Sequence, residues 1–304
     1  MTITVLVPDD DGVTALAELA GVRAVRYTWG EPLPPEAAEA EVLIPGFHSA
    51  REGRELFERL PNLKLIQLLA AGAEDWVGEV PAGMLLSTCR GAHGGSTAEW
   101  VVAALLAIYR EVHSFATAKD ERRWYRHSTD TLQGKRVLII GAGDLGRRLK
   151  RRLEPFETRV EMVGLNARDG VRGVEEIPEL LGSHDVVVLM VPLTSRTRGM
   201  VDAEFLAAMQ DGAVLVNVAR GPVVRTDALV AELKTGRLRA ALDVVDPEPL
   251  PEDHPLWDAA GLFLTPHVAG AARGAQKRSY AVAAAEIARW ASGELPDNLV
   301  HGEY

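Results

Sequence analysis

Cysteine, long apolar runs and clusters of metal-binding side chains are all scarce in this 304-residue chain. The single cysteine, Cys89, cannot form an internal disulfide, which fits a reducing cytoplasm and argues against a disulfide-stapled scaffold. The longest uninterrupted apolar runs, such as Trp100–Tyr109, are far too short to cross a bilayer. No group of Cys and His residues has the spacing of metal ligands, so we expect no metal site.

Acidic residues outnumber basic ones, 43 to 33. The net charge is −10, and the chain has no long basic block of the kind that nucleic-acid-binding proteins present. The first residues are typical of a strand and lack the basic start and cleavage site of a signal peptide. We therefore expect a cytoplasmic globular protein without nucleic-acid or membrane partners.

The chain does have a glycine-rich turn. An apolar run, Val137–Ile140, ends in Gly141-Ala-Gly-Asp-Leu-Gly146, and a helix-compatible segment follows at once. Gly141 permits a tight turn, Gly143 lets the backbone approach a ligand, and Gly146 lets the helix pack close to the strand. This spacing between a strand and a helix predicts a dinucleotide pyrophosphate at the helix N-terminus, with a ligand-free tight turn as the alternative.

The densest basic patch, Arg147–Arg152, follows this turn. Its charge pattern favours the solvated face of a helix. The alternative is mild electrostatic help for a cofactor phosphate nearby.

Strand-like and helix-like segments alternate along two stretches of the chain, which predicts parallel sheets covered by helices. The first stretch has strands at Ile3–Val7, Ala24–Tyr27, Val42–Ile44 and Lys64–Leu68, and helices at Val13–Ala20 and Glu52–Leu60. The second has strands at Val137–Ile140, Val160–Val163, Val186–Met190, Val214–Asn217, Ala240–Asp243 and Leu262–Leu264, and helices at Leu145–Leu153, Ile177–Leu181, Ala203–Met209 and Ala228–Leu233. Six strands in this rhythm match a doubly wound nucleotide-binding sheet. We predict an α/β protein with two Rossmann-like or flavodoxin-like doubly wound domains.

Two long helices bracket the second stretch. One is predicted over Ser96–Ala118, because Ser96-Thr-Ala-Glu99 has the capping-box pattern. The other is predicted over Ala271–Ser292, since glycine and proline follow it. The predicted domains are residues 1–95 plus 272–304 for the substrate and residues 96–271 for the dinucleotide, with a cleft between them.

Three polar residues follow predicted strands of the second sheet: Arg220, Glu248 and His267. Each alone has a structural explanation, but the carboxyl ends of parallel strands meet at one edge, where ligands bind. The three suit hydride transfer coupled to proton transfer. A histidine would supply the proton, a carboxylate would fix its ring, and an arginine would clamp a substrate carboxylate.

Further motifs carry a family resemblance. They lie in family order, from about Leu68 to His267, and comprise Gly141–Gly146, Val191-Pro-Leu-Thr194 with Thr197, Val218-Ala-Arg-Gly221, Ala241-Leu-Asp-Val244 with Glu248-Pro-Leu250, and Thr265-Pro-His-Val-Ala-Gly270. With them the chain resembles the D-isomer-specific 2-hydroxyacid dehydrogenase family, which includes glyoxylate, hydroxypyruvate and phosphoglycerate dehydrogenases and has formate dehydrogenase as a cousin. Their joint occurrence is far more specific than the glycine turn alone.

The resemblance implies a role for each site residue. Arg220 would anchor the substrate's carboxylate and carbonyl, His267 would be the acid/base, and Glu248 would tune it. Ala71 and Gly72 would offer backbone N–H groups to the substrate carboxylate. The expected cofactor-binding residues are Gly141, Gly143, Asp144, Leu145, Gly146, Asn166, Arg168, Val191, Pro192, Thr197, Ala219 and Asp243, the last of which would hold the nicotinamide carboxamide.

Two positions depart from the family pattern. Val191 stands where the family often has His or Cys, so we expect it to line the cofactor only through its backbone and apolar bulk. His93 lies in a stretch that replaces the usual Asn-containing one, and a role in its own loop is favoured over a role in the cleft.

The choice of cofactor depends on the end of the second strand of this sheet. NAD-binding members place an Asp there to hold the ribose hydroxyls, whereas this chain has Gly164. Without that carboxylate a 2′-phosphate is not repelled, and Asn166 and Arg168 could bind it. We therefore predict NADP(H), with NAD(H) as the alternative should a small loop shift bring Asp169 into place.

The expected activity is reduction of a small 2-keto acid, such as glyoxylate or hydroxypyruvate, to its D-2-hydroxy acid. Two alternatives remain: a nucleotide-sensing binding protein related to transcriptional corepressors, and an enzyme that oxidises a simple acid such as formate or phosphite. The predicted domains use nearly the whole chain, which disfavours the first, and the formate relatives carry Gln where Glu248 stands, which disfavours the second.

The resemblance also implies a homodimer. The Ser96–Ala118 helix and the segment Lys119–Thr131 could form its interface. That segment fits neither sheet, and an arm on a second subunit and an ordinary surface loop are equally good interpretations. Candidates for the substrate's side-chain pocket are Phe47, Arg51 and Trp76.

Overall fold

The structure is a computed structural model that describes residues 2–46 and 48–302, so Phe47 lies outside the described residues. The chain divides into two compact units. Unit 1 comprises Met1–His93 and Arg273–Tyr304, and unit 2 comprises Gly94–Ala272. Each unit is built on a parallel sheet, which confirms the predicted α/β class.

Unit 1 contains a five-stranded sheet in the order β2-β1-β3-β4-β5. Its strands are β1 (Ile3–Val7), β2 (Val22–Arg26), β3 (Ala40–Leu43), β4 (Leu65–Gln67) and β5 (Leu85–Ser87), and its helices are α1 (Asp10–Leu16), α2 (Ala50–Glu58) and, near the C-terminus, α9 (Ala275–Ala291). The sequence analysis missed β5, which has only three residues and therefore shows no period.

Alternating residues of β1 pack into two separate apolar clusters, one on each face of the sheet. Val5 and Val7 pack in a cluster with Tyr280 and Ile287 of α9. Leu6 points to the other face and packs in a cluster with Phe57 of α2. This period of two, buried on both faces, is what a covered parallel sheet requires.

Unit 2 contains a seven-stranded sheet in the order β12-β11-β10-β9-β6-β7-β8. Its strands are β6 (Arg136–Ile140), β7 (Arg159–Gly164), β8 (Arg172–Gly173), β9 (Val186–Leu189), β10 (Val214–Asn217), β11 (Arg239–Leu242) and β12 (Leu262–Leu264). Its helices are α3 (Gly94–Tyr109), α4 (Val112–Asp120), α5 (Asp144–Leu153), α6 (Ile177–Leu181), α7 (Ala203–Ala208) and α8 (Thr226–Thr235). All six predicted strands are present, and the seventh, β8, is a two-residue pairing with no sequence signal.

The single helix predicted over Ser96–Ala118 is wrong. It is two helices, α3 and α4, which meet at an angle of 61°. Glu111 at the break has φ 49°, in the left-handed region, so the helix cannot continue through it. The capping box is also wrong, because α3 begins at Gly94 and Ser96 lies within its first turn.

The C-terminal helix begins later than predicted, at Ala275 rather than Ala271. Gly274 precedes it with φ 78°, a conformation that suits glycine. No single helix in the described part of the chain is long and apolar enough to span a membrane; α3 and α4 reach that length and composition only when they are counted together.

The segment after α4 has no regular secondary structure as far as Leu132. Trp124 at its centre is 96% exposed. His127 nevertheless holds the segment to the helix break, because its Nε2 lies 2.8 Å from Glu111 Oε2 and its ring stacks on Phe115. This segment, the arm after α4, is therefore attached through His127 and presents the Trp124 side chain to solvent.

Candidate active site

The glycine turn joins β6 to α5 and fits the predicted dinucleotide-binding geometry. Gly141 has φ 125°, and a Cβ there would collide with the Met190 carbonyl at the end of β9. A Cβ on Gly146 would collide with the Gly141 carbonyl, so α5 can pack this closely only with glycine. A Cβ on Gly143 would meet nothing within 4 Å, which leaves the approach to the turn open.

Helix α5 presents its first-turn N–H groups at this turn. Gly143 caps the helix without a side chain, and the first intrahelical bond runs from the Arg147 N–H to the Gly143 carbonyl. The amides of Asp144, Leu145 and Gly146 precede that bond, as an anion-binding helix N-terminus requires.

Asp144 was predicted to bind the cofactor, and its carboxylate has another partner. Arg148 Nε lies 2.9 Å from each of its oxygens. The same carboxylate packs against Gly94 at the start of α3. Its negative charge is thereby compensated, and only the backbone N–H of Asp144 remains suited to a phosphate.

A guanidinium occupies the end of β7. Arg168 Nη2 donates to the Ala142 carbonyl at 3.2 Å, and a Cβ on Gly164 would lie 2.9 Å from its Nη1. The space in which NAD-binding relatives of this fold hold an Asp side chain is therefore filled by positive charge. Asn166 nearby is exposed, and Asp169 lies at the tip of a tight turn closed by hydrogen bonds between Arg168 and Val171.

Arg220 follows β10 and is held through its backbone. Asn217 Nδ2 donates to the Arg220 carbonyl at 3.0 Å, and Asn217 Oδ1 accepts from the Ala219 N–H. The Arg220 guanidinium donates to the Ala219 carbonyl at 2.6 Å. Asn217 is a supporting residue that the sequence analysis missed, because a buried Asn at a strand end has no distinctive pattern.

Glu248 and His267 form a direct pair. Glu248 Oε2 lies 3.0 Å from His267 Nδ1, and Glu248 Oε1 accepts from the Val245 N–H at 2.9 Å. Because a carboxylate only accepts hydrogen bonds, Nδ1 carries the proton and Nε2 is the ring atom that can exchange a proton with a ligand. The pair also fixes the orientation of the His267 ring.

The turn that carries His267 is held by the buried carboxylate of Asp243. Its Oδ1 accepts from the Thr265 hydroxyl at 2.6 Å and from the Val268 N–H at 2.8 Å, and its Oδ2 accepts from the Ala269 N–H at 2.9 Å. These bonds fix His267 at φ 55°, a left-handed conformation that is costly for a residue with a Cβ. Asp243 was predicted to hold a nicotinamide carboxamide, and the structure adds this positioning role.

The Val191–Thr197 segment after β9 closes on itself. The Thr197 hydroxyl donates to the Pro192 carbonyl at 2.6 Å and accepts from the Thr194 N–H at 2.9 Å. Val191 is half-buried and packs on the apolar core of unit 2. Both residues shape the backbone of this loop.

In unit 1, three successive carbonyls of the loop after β4 are tied down. Gln67 Nε2 bonds the Leu68 carbonyl, His93 Nε2 bonds that of Leu69, and the Cys89 N–H bonds that of Ala70. Since the C=O and N–H of a trans peptide point in opposite directions, the Ala71 N–H points away from Cys89. His93 therefore has a structural role, because it bonds the loop after β4.

The thiol of Cys89 lies behind this loop. It is fully buried, and its Sγ donates to the Ser279 carbonyl at 3.1 Å. Burial raises the pKa of this thiol to about 12.

Strand order places the unit 2 residues along one edge. The strands that precede His267, Asp243 and Arg220 are neighbours, and β9 separates them from the glycine turn. Neighbouring strands lie about 4.8 Å apart, so these groups spread over roughly 19 Å along the edge. The arrangement can bind a dinucleotide pyrophosphate at the turn and present a base and a cation at one end. Among the described residues, no group of three or more His, Cys, Asp or Glu side chains could hold a metal ion.

Comparison with known proteins agrees with this geometry. A family model described as D-isomer specific 2-hydroxyacid dehydrogenase, NAD binding domain, matches residues 102–269, more than half of the chain. The glyoxylate reductase of Thermofilum pendens is 33% identical over 264 residues, which cover 82% of this chain and 78% of the relative.

Two solved structures are similar over nearly the full length. A D-isomer specific 2-hydroxyacid dehydrogenase family protein from Aeromonas salmonicida has a TM-score of 0.87 and 26% identity, and the match covers 99% of each chain. A D-isomer specific 2-hydroxyacid dehydrogenase from Xanthobacter autotrophicus Py2, in complex with NADPH and MES, has a TM-score of 0.83 and 31% identity, covering 99% of this chain and 100% of that one.

The fold and these similarities define a nicotinamide-dependent oxidoreductase that acts on a CH–OH group. The chain belongs to the D-isomer specific 2-hydroxyacid dehydrogenase family, which confirms the resemblance found in its motifs.

Replacing Asp243 by Asn should loosen the His267 turn. The NH₂ group of the Asn side chain would face one of the groups that donate to the Asp243 carboxylate. That donor would lose its acceptor, which costs about 1–3 kcal/mol. We expect faster hydrogen exchange at the amides of Val268 and Ala269, measured by mass spectrometry of peptides that cover the turn. Asp169→Asn, at an exposed turn tip in the same unit, is the control. Unchanged exchange in Asp243→Asn would contradict the positioning role.

Proposed function

We propose that this protein reduces a small 2-keto acid to its D-2-hydroxy acid with NADPH, in the cytoplasm. The observation that carries the proposal is the 3.0 Å pair of Glu248 and His267, which lies on the same sheet edge as Arg220 and the glycine turn. A proton donor and a fixed cation beside a dinucleotide site suit reduction of a carbonyl that neighbours a carboxylate.

Arg220 binds and polarises the substrate in this proposal. Its guanidinium offers donors in a planar fork, which matches a carboxylate and the adjacent carbonyl oxygen. These contacts orient the carbonyl carbon before reaction.

His267 supplies the proton. The hydride for the carbonyl carbon would come from a bound nicotinamide. The carbonyl oxygen takes a proton from Nε2 of the His267 imidazolium as the C=O bond becomes C–O, and Glu248 keeps its bond to Nδ1 throughout. The ring is neutral afterwards and regains its proton from solvent, to which His267 is half-exposed.

The relatives support the substrate class and the cofactor. The T. pendens relative is named a glyoxylate reductase, and the X. autotrophicus relative was solved with NADPH. The guanidinium of Arg168 lies over Gly164, and its positive charge favours a 2′-phosphate. Glyoxylate and hydroxypyruvate are therefore the first substrates to test.

A direct assay distinguishes the enzyme from a nucleotide-sensing binding protein. NADPH oxidation is followed at 340 nm with glyoxylate, hydroxypyruvate and phenylpyruvate. Oxidation with at least one of these keto acids is the expected result. Tight NADPH binding without oxidation of any of them would favour the binding protein.

His267→Asn should remove the proton donor while preserving the turn. Asn tolerates the left-handed conformation at this position but cannot transfer a proton at neutral pH. We expect kcat to fall about 10²- to 10⁴-fold while the Kd for NADPH stays within about threefold. His113→Asn, at an exposed position on α4, is the control, and near-normal turnover in His267→Asn would refute the acid/base role.

Gly164→Asp should shift the cofactor preference toward NADH. The new carboxylate would pair with Arg168 and repel a 2′-phosphate, and the flexible end of Arg168 can give way to the new Cβ. We expect kcat/KM for NADPH relative to NADH to fall roughly ten- to hundredfold. Gly182→Asp, whose Cβ would meet only an ordinary contact, is the control. A wild-type preference for NADH would contradict the cofactor proposal.

We also propose a homodimer in which the arm after α4 packs on the second subunit. Contacts within its own subunit leave the large apolar side chain of Trp124 almost fully exposed, which is typical of an interaction surface. Light scattering should give about twice the 32.9 kDa chain mass, and Trp124→Ser should weaken the association. Leu295→Ser, at another exposed apolar position, should not, and a monomeric wild type at micromolar concentration would overturn the proposal.

A further inference from the structure

Arg147 follows the last glycine of the turn, and its side chain folds back over that turn. Its Nη1 donates to the Ala142 carbonyl at 3.1 Å. The sequence analysis favoured a solvated helix face for this basic patch. Arg147 is exposed on α5, as that interpretation expects, and its guanidinium in addition bonds the backbone of the glycine turn.

Arg168 reaches the same carbonyl oxygen from the other side, from the loop after β7. Its Nη2 lies 3.2 Å from the Ala142 oxygen. The two donor nitrogens are therefore within about 6 Å of each other. Two guanidinium groups on different elements converge on one neutral acceptor.

This arrangement leaves positive charge uncompensated. Within residues 2–46 and 48–302, neither Arg147 nor Arg168 forms an ion pair with a carboxylate, whereas Arg148, the next residue of α5, pairs with Asp144. The two like charges repel, and the Ala142 carbonyl dipole offsets that repulsion only in part. A dianion between the two guanidinium groups would complete the site.

The position identifies which phosphate fits. The pyrophosphate is expected at the N–H groups of α5, on the far side of Gly143. Ala142 instead adjoins Gly164, since a Cβ on Gly164 would lie 3.6 Å from the Ala142 Cβ. The end of this second strand is where ribose hydroxyls are held in dinucleotide folds.

We infer that Arg147 is a specificity-determining residue that clamps the 2′-phosphate of NADP(H) together with Arg168. The inference rests on the proposed NADP(H) preference and adds a residue from α5 to it. The phosphate monoester accepts donors from both guanidinium groups, which exchange the Ala142 carbonyl for phosphate oxygens. NADH lacks this group and leaves both arginines on the carbonyl.

The test compares ligands that differ only in the 2′-phosphate. Affinities for 2′,5′-ADP and 5′-AMP are measured by calorimetry, and those for NADPH and NADH by fluorescence, for the wild type, Arg147→Ala, Arg168→Ala and the double variant. Arg151→Ala, an exposed arginine further along α5, is the control. Alanine favours the helix at position 147, and melting temperatures check that each variant is folded.

We expect Arg147→Ala to weaken the binding of 2′,5′-ADP and NADPH roughly ten- to hundredfold. The Kd values for 5′-AMP and NADH should stay within about twofold of the wild type. Arg147→Lys should recover part of the loss, because it restores the charge without the planar fork. Arg151→Ala should change neither set. Equal losses for phosphorylated and unphosphorylated ligands, or no loss for either, would overturn the inference.

The outcomes also separate this inference from the proposed cofactor. A wild type that binds 5′-AMP and NADH better than their 2′-phosphorylated counterparts refutes the NADP(H) proposal itself. A wild type that prefers the phosphorylated ligands, with that preference lost in Arg168→Ala and kept in Arg147→Ala, refutes only the role of Arg147.

Discussion

One buried carboxylate holds in place the turn that carries His267. Asp243 accepts three hydrogen bonds from the segment Thr265–Ala269, and its own carbonyl accepts a fourth from the His267 N–H. The left-handed backbone of His267 persists because these bonds over-determine it. In this conformation the ring meets Glu248, so the orientation of His267 depends on a residue that lies outside the Glu–His pair.

The order of the strands places two groups of cations at opposite ends of one sheet edge. The guanidinium groups of Arg147 and Arg168 lie at the β6–β7 end, and Arg220 and His267 lie at the β10–β12 end. The chain as a whole carries a net charge of −10, so these cations stand out against an acidic background. Under the proposed function, a dinucleotide phosphate and a keto-acid carboxylate would be attracted to opposite ends of this edge.

The sequence predicted this edge well because each of its parts has a strong local signal. Gly141 and Gly146 are required by collisions with backbone carbonyls, and the apolar strands of unit 2 are long enough to show their period. Features set by tertiary contacts were missed. No glycine or proline marks the helix break at Glu111, and the folding back of Arg147 depends on the position of the Ala142 carbonyl. Charge pattern alone cannot distinguish a solvated arginine from one that bonds the backbone of a turn.

The burial of Cys89 also has a practical consequence. It is the only cysteine, and burial keeps its thiol protonated throughout the physiological pH range. The thiolate is the nucleophilic form, so alkylating reagents should act on this chain only when unit 1 opens. Cys89 is therefore unreactive in the native fold. The rate at which its thiol becomes alkylated measures the frequency of local unfolding around the β4 loop.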